Sequence, residues 1–221
     1  MMARKTRPSK PLIYVFWEGE SEECYANFLK QEFEDVAVIK VAGKKGLFDE
    51  AESCFEKSIK YKNSIEVTNE IWFFFDVEET DHQHCDARFN IIQKLRRLKK
   101  KPGIRVRLLM TTGCIEYWLM LHYQMMAPKL ETKPQKDRME ELVKQRVPGY
   151  AKGDQNTTWQ IAKLYPEAVK NGKKTLESLQ ADGLPTLEDT DERNRWLHQS
   201  SRTFTTVQEA IEFLESLQTI A

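Results

Sequence analysis

Three segments, widely spaced in a chain of 221 residues, each carry an apolar run into a carboxylate. They are Ile13-Tyr14-Val15-Phe16-Trp17-Glu18-Gly19, Ile71-Trp72-Phe73-Phe74-Phe75-Asp76-Val77-Glu78, and Leu108-Leu109-Met110-Thr111-Thr112-Gly113-Cys114-Ile115-Glu116. Clustered carboxylate oxygens are the ligands that Mg²⁺ or Mn²⁺ takes. Asp76 and Glu78 alternate along their segment, so both point to the same side of an extended chain. Glu79, Asp81 and Asp86 add to the acidity of that loop, and a divalent cation relieves the repulsion among such groups. A plain acidic surface loop is the alternative, and the spacing favours metal. Glu18 stands where strand gives way to helix. Acids are favoured in such a turn in any case, and Glu20, Glu22 and Glu23 follow it. Glu116 opens a very apolar helix, where a buried carboxylate needs a metal, an arginine or backbone N–H groups as partner.

Other chemistries have less support. His82, His84 and Cys85 match no common zinc spacing, and His122 reads as a core histidine. The aromatics of the apolar runs read as core rather than as base-stacking platforms. Neither GxxxxGK[ST] nor GxGxxG occurs, so the usual nucleotide loops are not expected.

The elements that must hold these acids alternate strand and helix. Continuous apolar runs of branched and aromatic residues suit strands buried on both faces, as in a parallel sheet. Strands are expected over the three runs and over Val36–Val41. Helices are expected after Ser21, over Leu47–Ile59, and from about Arg88 to Lys100, where Pro102-Gly103 stops the last of them. Strict alternation argues for parallel pairing, and ligands of such sheets bind outside the carboxyl ends of the strands. The fold class is therefore α/β, a mostly parallel four-stranded Rossmann-like sheet flanked by helices, with a helical C-terminal annex. The segment from about Lys129 to Lys152, polar, basic and holding Pro134 and Pro148, reads as a mobile or loop-rich insert. Helical stretches are expected near Trp159–Val169, Glu188–Gln199 and Thr206–Leu217, the last with a capping-box spacing in Thr206-Val207-Gln208-Glu209. Three regions result: a basic arm over 1–10, an α/β core over 11–127, and a basic insert with C-terminal helices over 128–221.

The 34 basic and 34 acidic residues cancel, so only their distribution bears on partners. Arg4, Lys5, Arg7 and Lys10 form the basic arm. Lys94, Arg96, Arg97, Lys99, Lys100, Lys101, Arg105 and Arg107 form a run without an acid, a candidate phosphate-binding stretch or a solvated helix end. With 31% charged residues and no apolar stretch of membrane-spanning length, a soluble globular protein with no membrane partner is expected. The N-terminus lacks an apolar signal region, and the four cysteines lie about thirty residues apart with no CxxC pair. Reduced thiols and a cytoplasmic location are the expectation.

Glu-Gly after the first strand, Asp-x-Glu after the third, and Cys114-Ile115-Glu116-Tyr117-Trp118-Leu119-Met120-Leu121-His122 after the fourth together resemble the RloB family, whose core is Toprim-like. Pro148-Gly149-Tyr150-Ala151-Lys152 resembles its mid-chain Pro-Gly-Tyr-x-Lys element, and Arg202-Thr203-Phe204-Thr205-Thr206-Val207 its closing helix start. Toprim domains place a glutamate after the first strand and a DxD pair after the third. The resemblance thus implies metal ligation by Glu18, Asp76 and Glu78, with Glu116 as a further member of the catalytic set. Glutamate in place of the second aspartate departs from that pattern and lengthens the arm by one methylene. The resemblance also implies a defence nuclease of a phage-restricting, abortive-infection type. It would need Mg²⁺ or Mn²⁺, act on RNA (tRNA included) or DNA, and work beside a partner ATPase. A non-catalytic nucleic-acid-binding or assembly subunit is the other expectation.

Overall fold

The computed structural model describes residues 10–220; Arg4, Lys5 and Arg7 of the basic arm lie outside the described residues. Its sheet is built of β1 (Leu12–Trp17), β2 (Val38–Val41), β3 (Thr68–Val77) and β4 (Arg105–Thr112), all parallel, in the order β2-β1-β3-β4. Ten α-helices are described: α1 (Glu20–Glu32), α2 (Phe48–Lys57), α3 (Ile59–Lys62), α4 (Cys85–Arg96), α5 (Ile115–Leu121), α6 (Lys133–Arg146), α7 (Gln155–Ala162), α8 (Tyr165–Ser178), α9 (Asp191–His198) and α10 (Val207–Ile220). No described helix is long and apolar enough to cross a membrane.

The aromatic run of β3 divides between two cores because successive side chains leave a strand on opposite faces. Trp72 and Phe74 pack with Tyr25, Leu29, Trp118 and Ile211 on one face. Ile71, Phe73 and Phe75 pack with Phe48, Phe55, Phe89 and Leu197 on the other. The result is helix on sheet on helix, the α/β class read from the runs. The C-terminal helices contribute to both cores, α10 to the first, α9 to the second and α8 to each. Pairing of Trp17 with Phe74 and of Asp76 with Thr111 brings the carboxyl ends of β1, β3 and β4 to one edge of the sheet.

Four local expectations are corrected. Residues 129–152 are not a loop-rich insert, because α6 occupies their middle. Pro134 sits in its first turn, where no N–H is required, and Thr132 with Gln135 forms a capping box. The helix expected over Leu47–Ile59 ends at Lys57, and Ile59 stands 74% exposed on α3. The stretch near Trp159–Val169 is two helices, parted at Leu164 where Pro166 enters the first turn of α8. The expected capping box at Thr206 is not formed. Its hydroxyl instead donates to Leu108 O (2.6 Å) and accepts from Met110 N (2.9 Å) of β4, and the Glu209 carboxylate turns to Arg193.

Arg193 is fully buried and ties segments of the annex to one another, with Asp189 carrying the network to β4. It donates to both Glu209 oxygens (2.5 and 3.0 Å), to Leu187 O (2.9 Å) and to Asp189 (3.3 Å). Asp189 in turn accepts from Arg105 of β4 at 2.9 Å. Arg193→Met would leave Glu209 buried without its cation, so a loss of about 3–5 kcal/mol is expected, read as a lower urea midpoint at unchanged slope. A variant within 1 kcal/mol of the parent, by the ~1 kcal/mol scale of ordinary substitutions, would deny the network this role.

Candidate functional site: a buried carboxylate cluster

At the carboxyl edge of the sheet, Glu18 follows β1, Asp76 closes β3, Glu116 sits in the first turn of α5, and Glu22 enters from α1. Glu18 Oε2 accepts the backbone N–H of Asp76 at 3.1 Å, tying the two strand ends together. Glu116 is wholly buried and Glu22 is 3% exposed. Glycine precedes α1 for a steric reason. A Cβ on Gly19 would lie 2.6 Å from Glu22 Oε2, so a larger residue there would push this carboxylate out of its present position.

Burial and repulsion from neighbouring acids raise Glu18, Glu22 and Asp76 above the ordinary carboxylate range. Desolvation is the largest cause for Glu18, partly offset by the Asp76 N–H. Glu22 is pushed up to about 7 by burial, with Glu18 and Glu116 adding to the rise. Asp76 is raised well above its ordinary value, first by burial, then by Glu22, Glu18, Glu116 and Glu78.

The structure brings Glu18, Asp76 and Glu116 together and leaves Glu78 at the rim. Glu78 is exposed, pairs with Lys136 of α6, and caps the 3₁₀ turn Glu79–His84, accepting from the Asp81 N–H. In the sequence Glu22 does not stand out, being one acid among several in a helix start. Its signal is its place in the buried stripe Glu22, Ala26, Leu29, Phe33.

The Pro-Gly-Tyr-x-Lys element closes the site. Tyr150 OH donates to Glu116 Oε1 at 3.0 Å, and Lys152 Nζ stands 3.4 Å from the same oxygen. Gly113, between β4 and α5, sets the approach of Glu116. Its φ is +76°, and a Cβ there would lie 2.8 Å from the Leu130 carbonyl oxygen. Gly113→Ala is expected to cost about 2–4 kcal/mol through backbone strain and this contact, measured by chemical denaturation. A neutral result would show that the β4–α5 turn relaxes freely.

Two oxygens of the cluster are open to a cation. Asp76 Oδ1 and Glu116 Oε2 are buried without any hydrogen-bond partner, an arrangement that costs free energy unless something cationic meets them. Among the described residues no three His, Cys, Asp or Glu side chains stand in an arrangement that could hold a metal ion without rearrangement. Glu18 Oε2 is engaged by the Asp76 amide and Glu116 Oε1 by Tyr150. The zinc reading of His82, His84 and Cys85 gains no ligand set, and Cys85 is buried. His122 is a core histidine, bonded to Tyr25 OH (3.1 Å) and Trp118 O (3.0 Å), and burial holds it near 4.

The basic run is corrected as a phosphate grip for this site. It spans the C-terminal end of α4 and the start of β4, so it lies at the amino edge of the sheet, one β4 length or roughly 25 Å from the acids. Arg107 is 4% exposed and pairs with Glu70 at 3.2 Å. Lys94 pairs with Glu52, Arg96 with Asp191 and Arg105 with Asp189. Lys99 donates to Thr68 O, which leaves Arg97, Lys100 and Lys101 exposed and outside any described ion pair.

No curated protein and no solved structure significantly matches the chain. A family model described as RloB-like protein matches residues 13–214, from β1 into α10, and takes in all four carboxylates and the Tyr150–Lys152 element over them. On this match over most of its length, the chain belongs to the RloB-like protein family.

Proposed function

We propose that the protein is a divalent-metal-dependent nuclease, hydrolysing phosphodiester bonds of RNA (tRNA included) or DNA. In the setting its family resemblance implies, it would act in phage defence beside a partner ATPase. The observation that carries this reading is the pair of buried, unpartnered oxygens Asp76 Oδ1 and Glu116 Oε2, set among two further carboxylates. Asp76, Glu116 and Glu18 would hold Mg²⁺ or Mn²⁺, and Glu78 would join them on leaving Lys136. Bound there, the cation would polarise the scissile phosphate and lower the pKa of water.

The chain's own groups would do the rest. Glu18, its Oε2 fixed by the Asp76 amide, offers Oε1 to take a proton from water. Glu22, raised toward neutrality, is suited to hold a proton for the leaving oxygen. Lys136 and Lys152 at the rim replace the amino-edge run as phosphate contacts close to the acids.

A second reading, a non-catalytic binding or assembly subunit, is favoured by one observation. Lysines already pair with Glu78 and Glu116, and among the described residues no three His, Cys, Asp or Glu side chains are arranged so as to hold a metal ion. Incubating labelled tRNA and plasmid DNA with the purified protein and Mn²⁺, beside Asp76→Asn, separates the two. Cutting that needs the metal and vanishes in the variant supports the nuclease. Equal inactivity of both, with nucleic-acid binding retained, supports the subunit.

A further inference from the structure

The residue at the mouth of the cluster is a cation on a strap. Between the end of α6 and the start of α7 the chain turns at Gly149 (φ +92°), drops the Tyr150 ring into the core, and carries Lys152 across the acids. Both ends of the crossing are anchored. Tyr150 OH holds Glu116 Oε1, while Gly153 N donates to Ser21 Oγ at 3.0 Å and Gly153 O accepts from Cys24 Sγ at 3.2 Å. Gly153 has φ +74°, and a Cβ there would lie 2.7 Å from Glu20 Oε2, so the strap lies close on α1.

Held between these anchors, the Lys152 ammonium faces Glu116 Oε1 at 3.4 Å and Glu140 Oε2 at 3.7 Å. Both distances exceed those of a close charge-assisted hydrogen bond. The Lys152 side chain remains 54% exposed while Glu116 is sealed. The ammonium is therefore shared loosely between two carboxylates, has an open path to solvent, and carries the charge that the cluster lacks.

We propose that Lys152 is the resident counter-ion of the cluster, competing with a divalent cation for Glu116, and that once released it takes a phosphate oxygen of the nucleic acid. This rests on the metal-dependent reading given above. It makes Lys152 a positioning residue with two opposed effects. Its charge weakens metal binding in the free protein and strengthens substrate binding in the metal-loaded one. A residue that merely supports the fold would weaken both.

The test uses the full-length protein with Lys152→Ala, Lys152→Arg and Asp76→Asn. Mn²⁺ affinity is measured by calorimetry. Binding of a fluorescein-labelled RNA hairpin and its DNA counterpart is followed by anisotropy across a salt series, with Ca²⁺ as the cation. Lys152→Ala is expected to tighten Mn²⁺ binding by about tenfold, the scale of one lost competing charge. The same variant should weaken the hairpin that the parent prefers and reduce its salt slope by about 0.7–0.9, one phosphate contact. Lys152→Arg should restore the salt slope. Mn²⁺ affinity that is unchanged or weaker in Lys152→Ala, or hairpin affinity equal to the parent's, would overturn the proposal. Mn²⁺ binding that survives Asp76→Asn would sink the metal reading and this proposal with it. Loss in Asp76→Asn without tightening in Lys152→Ala would sink this proposal alone.

Discussion

Asp76→Asn is expected to lower metal-dependent cleavage by roughly a thousandfold, an activation penalty of about 4 kcal/mol, while raising the melting temperature of the metal-free protein. The two effects share a cause. Asp76 presents a buried oxygen without a partner to four other acidic side chains, so its charge is costly in the folded chain until a cation meets it. Asparagine keeps the shape and the backbone N–H that binds Glu18, but removes the charge. In a domain of this size each kcal/mol of relieved repulsion raises the melting temperature by about 2–4 °C. Activity and thermal unfolding of the same preparation check both halves. A variant that loses activity and also melts lower without metal would mean that Asp76 serves the fold rather than a cation.

The metal-free protein is expected to lose stability as pH rises from about 4.5 to 7, with Mn²⁺ restoring it at the upper end only. Glu22 has an ordinary value of 4.5 and is raised to about 7 in the folded state. Over this window the folded chain keeps a proton that the unfolded chain has released, so stability falls with pH. For Glu22 alone the change is on the order of 3 kcal/mol, and the raised Glu18 and Asp76 act in the same direction. Glu22→Gln should flatten the profile and stabilise the metal-free protein near neutral pH. Melting temperatures across the window, with EDTA or Mn²⁺, decide it. A flat parental profile would contradict the raised values.

How much of this was legible beforehand depended on which physical signal each residue sent. The apolar runs ending at Trp17, Phe75 and Met110 announced buried parallel strands, and with them the edge where Glu18, Asp76 and Glu116 meet. Glu22 was obscured because Glu20 and Glu23 made acidity at that helix start look ordinary; only the helical stripe sets it apart. Composition left the basic run open as a phosphate-binding stretch or a solvated helix end, and the fold sets it at the edge opposite the acids. A helix between parallel strands returns the chain to the amino edge, so the end of α4 and the start of β4 had to lie away from the acids. The segment holding α6 is polar and carries prolines, which makes its sequence resemble a loop. Pro134 enters the first turn and Pro148 follows the end, both places where proline leaves a helix intact. Tyr150 and Lys152 were visible as part of the Pro-Gly-Tyr-x-Lys element, but only the folded chain sets them against Glu116.

The outer edge of β4 is completed by residues far downstream. Thr112 N donates to Phe204 O, Thr206 N to Met110 O, and Thr111 bridges Thr205 in antiparallel sense. Met110 and Thr206 are separated by 96 positions. At about 5–20 residues per second, a ribosome takes roughly 5–20 s to cover that interval. During that time the nascent sheet has an unpaired, strongly apolar border open to other chains. Completion of the domain is thus a late event of synthesis, and a chain stalled before Thr206 would be a client for chaperones rather than an assembled acidic centre.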